Sequence, residues 1–445
     1  DPAELAGSAA AAIAAALGDA GASESDVAAL GIANQTETFL IADRRTGRPI
    51  HPAIVWQDRR TADACAALQA AGQAPLVRSR TGLELDATFP ATKIGWVLDH
   101  VDGARGAAEA GELVYCDVAA WLLWSLTGSW ACDLGNAART LLCPLGGADW
   151  DDELLELFGV PRALLPPIVD SDALAQVGSA GAGRPGLAVT GALGDQQASL
   201  FGLGCRTAGS AKVTLGTGAF ILAQAGSTAP EPPAGVLASC AWRLRSESSF
   251  ALEGFVPAAG AALDWLATVG LLPPGPELDD LLATAGPEDH SVAFVPALQG
   301  LGTPTWDASI RGSLLGLSRA TTRAQVARAA VDGVLHQVVD ALEAIGQAMA
   351  PATVLVDGGL SRCTWIVQRL ADLAEIEVRR AARSEATAIG AAMLAGLAAG
   401  FWADEEELPP LAVDRIAHPS LQASVRASLR ERWAEAVTVA AGWRP

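Results

Sequence analysis

The sequence predicts an α/β protein of two domains, and three observations predict it. Strand-like runs alternate with helical patterns in both halves of the chain. Three polar or glycine-rich turns each follow a short β-prone run. The 445 residues exceed what one hydrophobic core usually serves, so two domains of roughly 200 residues are the natural division. The boundary is placed around Gly202 to Thr207, giving domains of residues 1–203 and 204–445. A ligand cleft between them follows.

Element by element, Glu4 to Ala20 is an alanine-rich run that reads as a helix, and Val27 to Ile32 reads as a strand leading into Asn34 and Gln35. Residues 38 to 55 read as two strands joined at Arg45-Thr-Gly-Arg48, a hairpin-type turn. From Asp58 to about Leu155 helical patterns dominate, with loops at 82–88 and 131–135. Pro161 to Gly186 is punctuated by Pro and Gly, and Leu187 to Thr190 is a further strand. In the second half, strands are expected at 211–214, 219–223, 249–253, 292–295, 353–356 and 377–379. Helices are expected at 258–271, 323–349, 365–374 and 385–399, and surface loops at 226–235 and 272–276.

A net charge of −20 and a pI near 4.6 exclude nucleic acid and an anionic membrane surface as partners, since both demand a cationic face. Only two lysines, Lys93 and Lys212, are present. Any phosphate recognition must therefore draw on backbone amides, helix N-termini and a metal ion. Seven widely spaced cysteines with no C-x-x-C pair read as a reduced, cytoplasmic protein without structural zinc. No secretory signal is read, and no membrane insertion is expected. The longest apolar run, Thr387 to Trp402, is short for a membrane span, so its Gly396-x-x-x-Gly400 spacing reads as a buried helix packed closely in a soluble core. The histidines, His51, His100, His290, His336 and His418, form no ligand spacing.

The three turns carry the chemistry. Asp195 sits in Gly191-Ala-Leu-Gly-Asp-Gln-Gln197, directly after a strand, where a carboxylate is displayed as a base. The alternative is an Asp that only caps the following helix. Thr214-Leu-Gly-Thr-Gly218 and Asp357-Gly-Gly-Leu-Ser-Arg362 end two further strands, and glycines there let backbone N–H groups approach phosphate oxygens. One acid and two glycine turns point to a nucleotide and a hydroxylic substrate meeting in a cleft.

With these residues in view, the chain resembles the FGGY carbohydrate kinases, and their glycerol kinase branch most of all. The resembling stretches are residues 31–38, 54–61, 191–197, 300–311 and 387–402. Two ordered patterns can be followed position by position. The first, around Lys93 and Trp96 in Pro90 to His100, fits except at Thr88, where glycerol kinases carry Tyr. The second runs from Gly312 to Leu317, then Gln325-Val326 and Ala329 to Asp332, and fits throughout. The resemblance implies two ribonuclease-H-like domains of the actin/hexokinase type. It also implies ATP and Mg²⁺ as cofactors, a small polyol or sugar as substrate, and assembly into a dimer or tetramer. The family's opening hairpin, with its first phosphate loop, has no counterpart ahead of Asp1-Pro2. Residues 1–445 alone are therefore expected to bind Mg-ATP weakly and to turn over little.

By the same resemblance Asp195 is the catalytic base and a metal-associated carboxylate. Gln35, Thr36, Glu37, Trp56, Thr88, Gln196 and Phe220 fall on acceptor-binding positions. Without the resemblance, Glu37 reads as an exposed residue after a strand, and Trp56 and Phe220 as core. Thr36 stands where glycerol kinases have Arg, so two large polar side chains are replaced by small ones, and a wider pocket with fewer donors is expected. Gly216 and Thr217 would meet phosphates, while Gly260, Asp264, Gly359, Leu360 and Cys363 would line the adenosine pocket. Arg362 reads as a surface residue. The activity implied is ATP-dependent phosphorylation of glycerol or a related polyol. The alternatives are a kinase for a tetritol or a ketopentose such as xylulose, and, in another class, a sensor that binds nucleotide or sugar without turnover.

Overall fold

The computed structural model describes residues 1–174, 187–273, 277–286, 291–383 and 385–443. The strands of the first half are β1 (Leu30–Asn34), β2 (Phe39–Asp43), β3 (Leu113–Asp117), β4 (Cys132–Asp133), β5 (Ile168–Val169) and β6 (Val189–Gly194). β1 pairs in parallel with β6, β2 antiparallel with β3, and β4 in parallel with β5. The helices between them, including Pro90–His100 and Val118–Thr127, bury Phe39, Tyr115, Ile94 and Trp150 in one core.

The second half contributes β7 (Ser210–Leu215), β8 (Ala219–Gly226), β9 (Leu237–Leu244), β10 (Glu247–Val256), β11 (Ala293–Val295), β12 (Ser313–Leu315), β13 (Thr353–Asp357), β14 (Glu377–Ala381) and β15 (Val413–Ala417). Seven of these form a mixed sheet in the order β15-β14-β13-β7-β8-β10-β9, parallel only among β14, β13 and β7. Alternation along β7 sends Ala211, Val213 and Leu215 into a core shared with the helix Arg323–Gly346. That helix opens on a reciprocal cap between Thr322 and Gln325. Lys212 and Thr214 consequently point to the other face. There the helices Asp195–Gly202 and Ala386–Ala398 pack against Leu222, Trp242 and Ala251. These two helices cross at glycines: a Cβ on Gly390 would lie 1.9 Å from the Ala198 carbonyl oxygen, and one on Gly202 2.2 Å from that of Ala386. Phe250, Leu237 and Cys240 join the first-half core, which ties the two halves together.

Several expectations need correction. Only the first arm of the expected 38–55 hairpin is a regular strand; the return arm makes isolated bridges from Pro49 to Ala42 and from Ile54 to Phe39. β2 takes β3 as its ladder partner, a strand hidden in the stretch read as helical. The expected 131–135 loop is β4 followed by the short helix Leu134–Ala137, whose N-terminal N–H groups at Gly135 and Asn136 are capped by Asp133. The expected 27–32 strand starts only at Leu30, after a 3₁₀ turn at Glu24–Asp26. β9 and the helix Ala423–Gly442 were not expected at all. Residues 175–186 of the Pro/Gly-punctuated passage and 274–276 of one loop lie outside the described residues.

No helix among the described residues is long and apolar enough to cross a membrane. The Gly396 side of the helix Ala386–Ala398 lies against Trp402, with a built Cβ 2.3 Å from its ring, as close packing in a core requires. All seven cysteines are free thiols, six of them buried.

Candidate active site

β6 ends at Gly194, and Asp195 is the first residue of the following helix. Gly194 is the N-cap, so Asp195 lies one residue inside the capping position. Its Oδ1 accepts the Gln196 N–H at 2.8 Å, and the Gln196 side chain also bonds the carboxylate. Burial, and after it the nearby Glu37 carboxylate, push Asp195 above the ordinary carboxylate range, while Lys212 pulls it down.

A cavity of about 230 Å³ opens at Asp195. Gln35, Thr36, Glu37 and Gln196 line its polar side, and Trp56, Thr88 and Phe220 lie on the same cavity wall. The structure thus gathers every acceptor position that the resemblance implied. Glu37 is buried, not the exposed residue that its place after a strand suggests. Its backbone sits at φ +61°, the left-handed region that costs a non-glycine residue about 1–3 kcal/mol.

Two buried contacts hold Glu37 there. Arg139 Nε donates to Glu37 Oε1 at 2.6 Å, and Thr36 Oγ donates to Oε2 at 2.5 Å. Arg139 Nη1 also donates to Glu253 Oε2 on β10 at 2.6 Å. Burial alone would pull Arg139 down; Glu253 and Glu37 more than reverse that and keep the guanidinium charged. One turn before Arg139, Asn136 exchanges hydrogen bonds with Asn34 at 2.9 and 3.1 Å and donates to Asp133 at 2.6 Å. The segment 133–139 therefore grips both ends of the turn that carries Gln35, Thr36 and Glu37.

The opposite wall is aromatic. The Phe255 ring centroid lies 5.0 Å from that of Phe220 and 6.5 Å from that of Trp56, edge-on to the latter. Trp306 adds to the same wall. Both small replacements have committed hydroxyls: Thr36 donates to Glu37, and Thr88 Oγ donates to Asp86 at 2.7 Å. Behind Thr88, the buried Lys93 donates to the Thr88 carbonyl at 2.8 Å; burial pulls this ammonium down to about 8.

The glycine turns lie at the carboxyl edge of the parallel strands. Gly260 N–H donates to the Gly216 carbonyl, and Ala261 N–H to that of Thr217, both at 2.9 Å. The 216–218 turn is thereby locked to the start of the helix Gly260–Thr268, on which Asp264 is exposed. Gly358, at φ +88°, crosses β7 so closely that a Cβ would lie 2.5 Å from the Leu215 carbonyl oxygen, and Gly359 beside it is exposed. Leu360 and Cys363 are half-buried against the core, and the Cys363 thiol donates to Asp279 at 2.9 Å. Arg362 is exposed.

The model of the N-terminal domain of the FGGY family of carbohydrate kinases matches residues 1–202, and that of its C-terminal domain matches residues 211–399. The chain belongs to this family. It is an ATP-dependent kinase with the two-domain actin/hexokinase-like fold. Among curated relatives, glycerol kinase 2 of Thermotoga maritima is 41% identical over 434 residues, 96% of this chain and 87% of that protein. A glycerol kinase of Rhodospirillum centenum is 46% identical over 417 residues, 92% and 83% of the two chains. Among solved structures, Plasmodium falciparum glycerol kinase with ADP superposes with a TM-score of 0.84 at 27% identity, covering 93% of this chain and 83% of that one.

Sequence reasoning missed Phe255 and Trp306 of the aromatic wall and three charged residues at this FGGY kinase's cleft, Arg139, Glu253 and Lys212; the charged ones left a signal. Each is a charge inside an otherwise apolar run, Ala137-Ala-Arg-Thr-Leu141, Ala251-Leu-Glu-Gly254 and Ala211-Lys-Val213. Charged side chains are almost never fully buried unless paired, so such isolated charges were the available signal.

Proposed function

We propose that this kinase transfers the γ-phosphoryl group of ATP to a hydroxyl of a small neutral polyol of the glycerol type. The observation that carries the proposal is the Asp195 carboxylate lining a small cavity beside Gln196 and the Arg139-clamped Glu37. In the reaction Asp195 takes the hydroxyl proton as the acceptor oxygen bonds to the γ-phosphorus and the bond to the β-bridging oxygen breaks, releasing ADP. Glu37 keeps lone pairs for acceptor hydroxyls beyond those used by Arg139 and Thr36. The aromatic wall of Trp56, Phe220 and Phe255 covers the carbon chain. The turns at Gly216-Thr217 and Gly358-Gly359 offer backbone to the nucleotide, with Gly260, Asp264, Leu360 and Cys363 behind them.

Mg²⁺ binds through one or two carboxylates plus phosphate oxygens and retains waters. Asp195, a carboxylate whose lone pairs outnumber the bonds that Gln196 makes to it, fits that habit and would hold the ion, which when bound neutralises phosphate charge. A four- or five-carbon polyol or a ketopentose is the second reading, favoured by Thr36 and Thr88, whose short side chains are already engaged elsewhere.

The test is acceptor-dependent ADP release across glycerol, erythritol, xylitol and xylulose, with an aldonate as the anionic control. A neutral polyol is expected to be turned over in preference to the aldonate, at whatever rate the chain supports, and Asp195→Asn should lower kcat about 100- to 10,000-fold with nucleotide affinity retained. Near-normal turnover by that variant removes Asp195 from the role, and preference for the aldonate removes the polyol reading.

A further inference from the structure

Lys212 lies wholly buried on β7, on the face turned toward the helix Asp195–Gly202. Its ammonium donates to Gln196 Oε1 at 2.5 Å and to Thr214 Oγ at 2.7 Å. One strand over, Asp357 pairs in register with Thr214, and its Oδ2 accepts from Ser199 of the same helix at 3.1 Å. Asp195, Gln196 and Ser199 are thus held on one side of a junction whose other side is β7 and β13.

An ammonium has three donors and no acceptor, whereas a carboxamide has one accepting and one donating end. The orientation of an amide is fixed by its hydrogen-bond partners. Contact with Lys212 therefore forces Oε1 of Gln196 toward the ammonium. Its Nε2 carries two N–H groups; this side chain also bonds the Asp195 carboxylate, which leaves an N–H for the acceptor cavity that Gln196 lines.

We propose that Lys212 is a positioning residue that locks Gln196 as a hydrogen-bond donor to the acceptor hydroxyl, so that this hydroxyl must spend its own proton on Asp195. The inference rests on the acceptor occupying the cavity as proposed above. A hydroxyl oxygen that accepts from Gln196 Nε2 keeps its hydrogen free for the Asp195 carboxylate. If the carboxamide turned over, Oε1 would itself accept that hydrogen and compete with the base. Lys212 touches neither acceptor nor nucleotide; besides holding Gln196 it lowers the Asp195 carboxyl through its charge.

The experiment is a double-mutant cycle on the full chain, read as kcat, acceptor KM and nucleotide Kd. Lys212→Met and Gln196→Leu should each lower kcat/KM for the acceptor by about 10- to 100-fold, the worth of one hydrogen bond to a charged group. Nucleotide affinity should hardly move, and the double variant should lose no more than Lys212→Met alone. Gln196→Glu preserves shape and the bond to Lys212 but has no donor for the acceptor, so it should lose as much while remaining folded. Losses that multiply in the double variant, or wild-type turnover by Gln196→Glu, overturn the proposal. Because Lys212→Met could unfold the protein, Gln196→Glu stands as the independent variant. Acceptor binding is also followed by the fluorescence of Trp56 and Trp306. A wild type that binds polyol without turnover refutes the kinase-for-polyol reading alone, and the cycle is then read in binding.

Discussion

Replacing Arg139 by Met removes one guanidinium and leaves two carboxylates, Glu37 and Glu253, facing each other in the cleft. All three side chains are about nine-tenths buried, with side-chain exposures of 10% for Arg139, 8% for Glu37 and 10% for Glu253. Removing one partner of a buried pair costs about 3–5 kcal/mol, because the remaining charge is stranded. For a cooperative unit of roughly 200 residues that is a fall of about 6–20 °C in Tm. Glu253 retains Ser239 and Gln197 as donors, whereas Glu37 retains only Thr36 and must still hold φ +61°. Glu37 should therefore move first, raising acceptor KM more than it lowers kcat. Thermal unfolding at pH 7.5 is followed for the wild type, Arg139→Met, and Arg139→Met with Glu253→Gln. The second substitution neutralises one stranded carboxylate and should restore at least about 1.5 kcal/mol, the usual coupling between contacting charges. A Tm for Arg139→Met within 2 °C of wild type, or no recovery in the double variant, would refute the reasoning.

Two pH dependences follow from the electrostatics. Burial and Glu37 raise Asp195 while Lys212 lowers it, so kcat/KM should climb with pH through a limb above the ordinary carboxylate range; a pH–rate profile with its limb near 4 contradicts this. Asp133 is buried and, with Asp117 beside it, is pushed from 3.8 up to about 7. The folded state then keeps a proton that the unfolded chain loses, so stability falls as pH rises from about 4 to 7, by of the order of 4 kcal/mol. Asp133→Asn removes that titration, and the difference in Tm between pH 5 and pH 8 should shrink; equal slopes in both proteins would exclude Asp133 as the source.

What the sequence made legible is what is local. Strands β7, β8 and β13 with their glycine turns were read nearly residue by residue, because β-prone runs ending in Gly-Thr-Gly or Gly-Gly carry their own backbone instructions. Asp195 was legible for the same reason. β3 was not: Leu113-Val-Tyr-Cys-Asp117 is a five-residue apolar run between helices, and periodicity cannot separate such a strand from a helix segment. Its pairing with β2 is fixed about 70 positions away in the chain. Glu37 misled for a similar reason. A Glu after a strand reads as solvated until Arg139, 102 positions on, closes over it.

The charges around the cavity bear on its substrate more directly than the space left by Thr36 and Thr88. Asp195, Glu37 and Glu253 contribute three carboxylates to its lining against the single guanidinium of Arg139. Lys212 stands behind Gln196, with both of its assigned bonds spent inside the protein. A carboxylate or phosphate on the acceptor would enter a site whose uncommitted groups are mostly acceptors themselves, with Arg139 already committed to two glutamates. Like charges brought together in a desolvated site cost several kcal/mol. On the proposed reading, hydroxyls would donate to such oxygens and a carbon chain would lie against Trp56 and Phe220, so the lining would select a neutral polyhydroxylic acceptor over an acidic one. The same arrangement explains how a chain with two lysines and a charge of −20 handles phosphate. Lys212 and Arg139 beside the cavity are engaged within the protein, so in the proposed reaction the nucleotide would be met by the backbone of the glycine turns and by an accompanying cation.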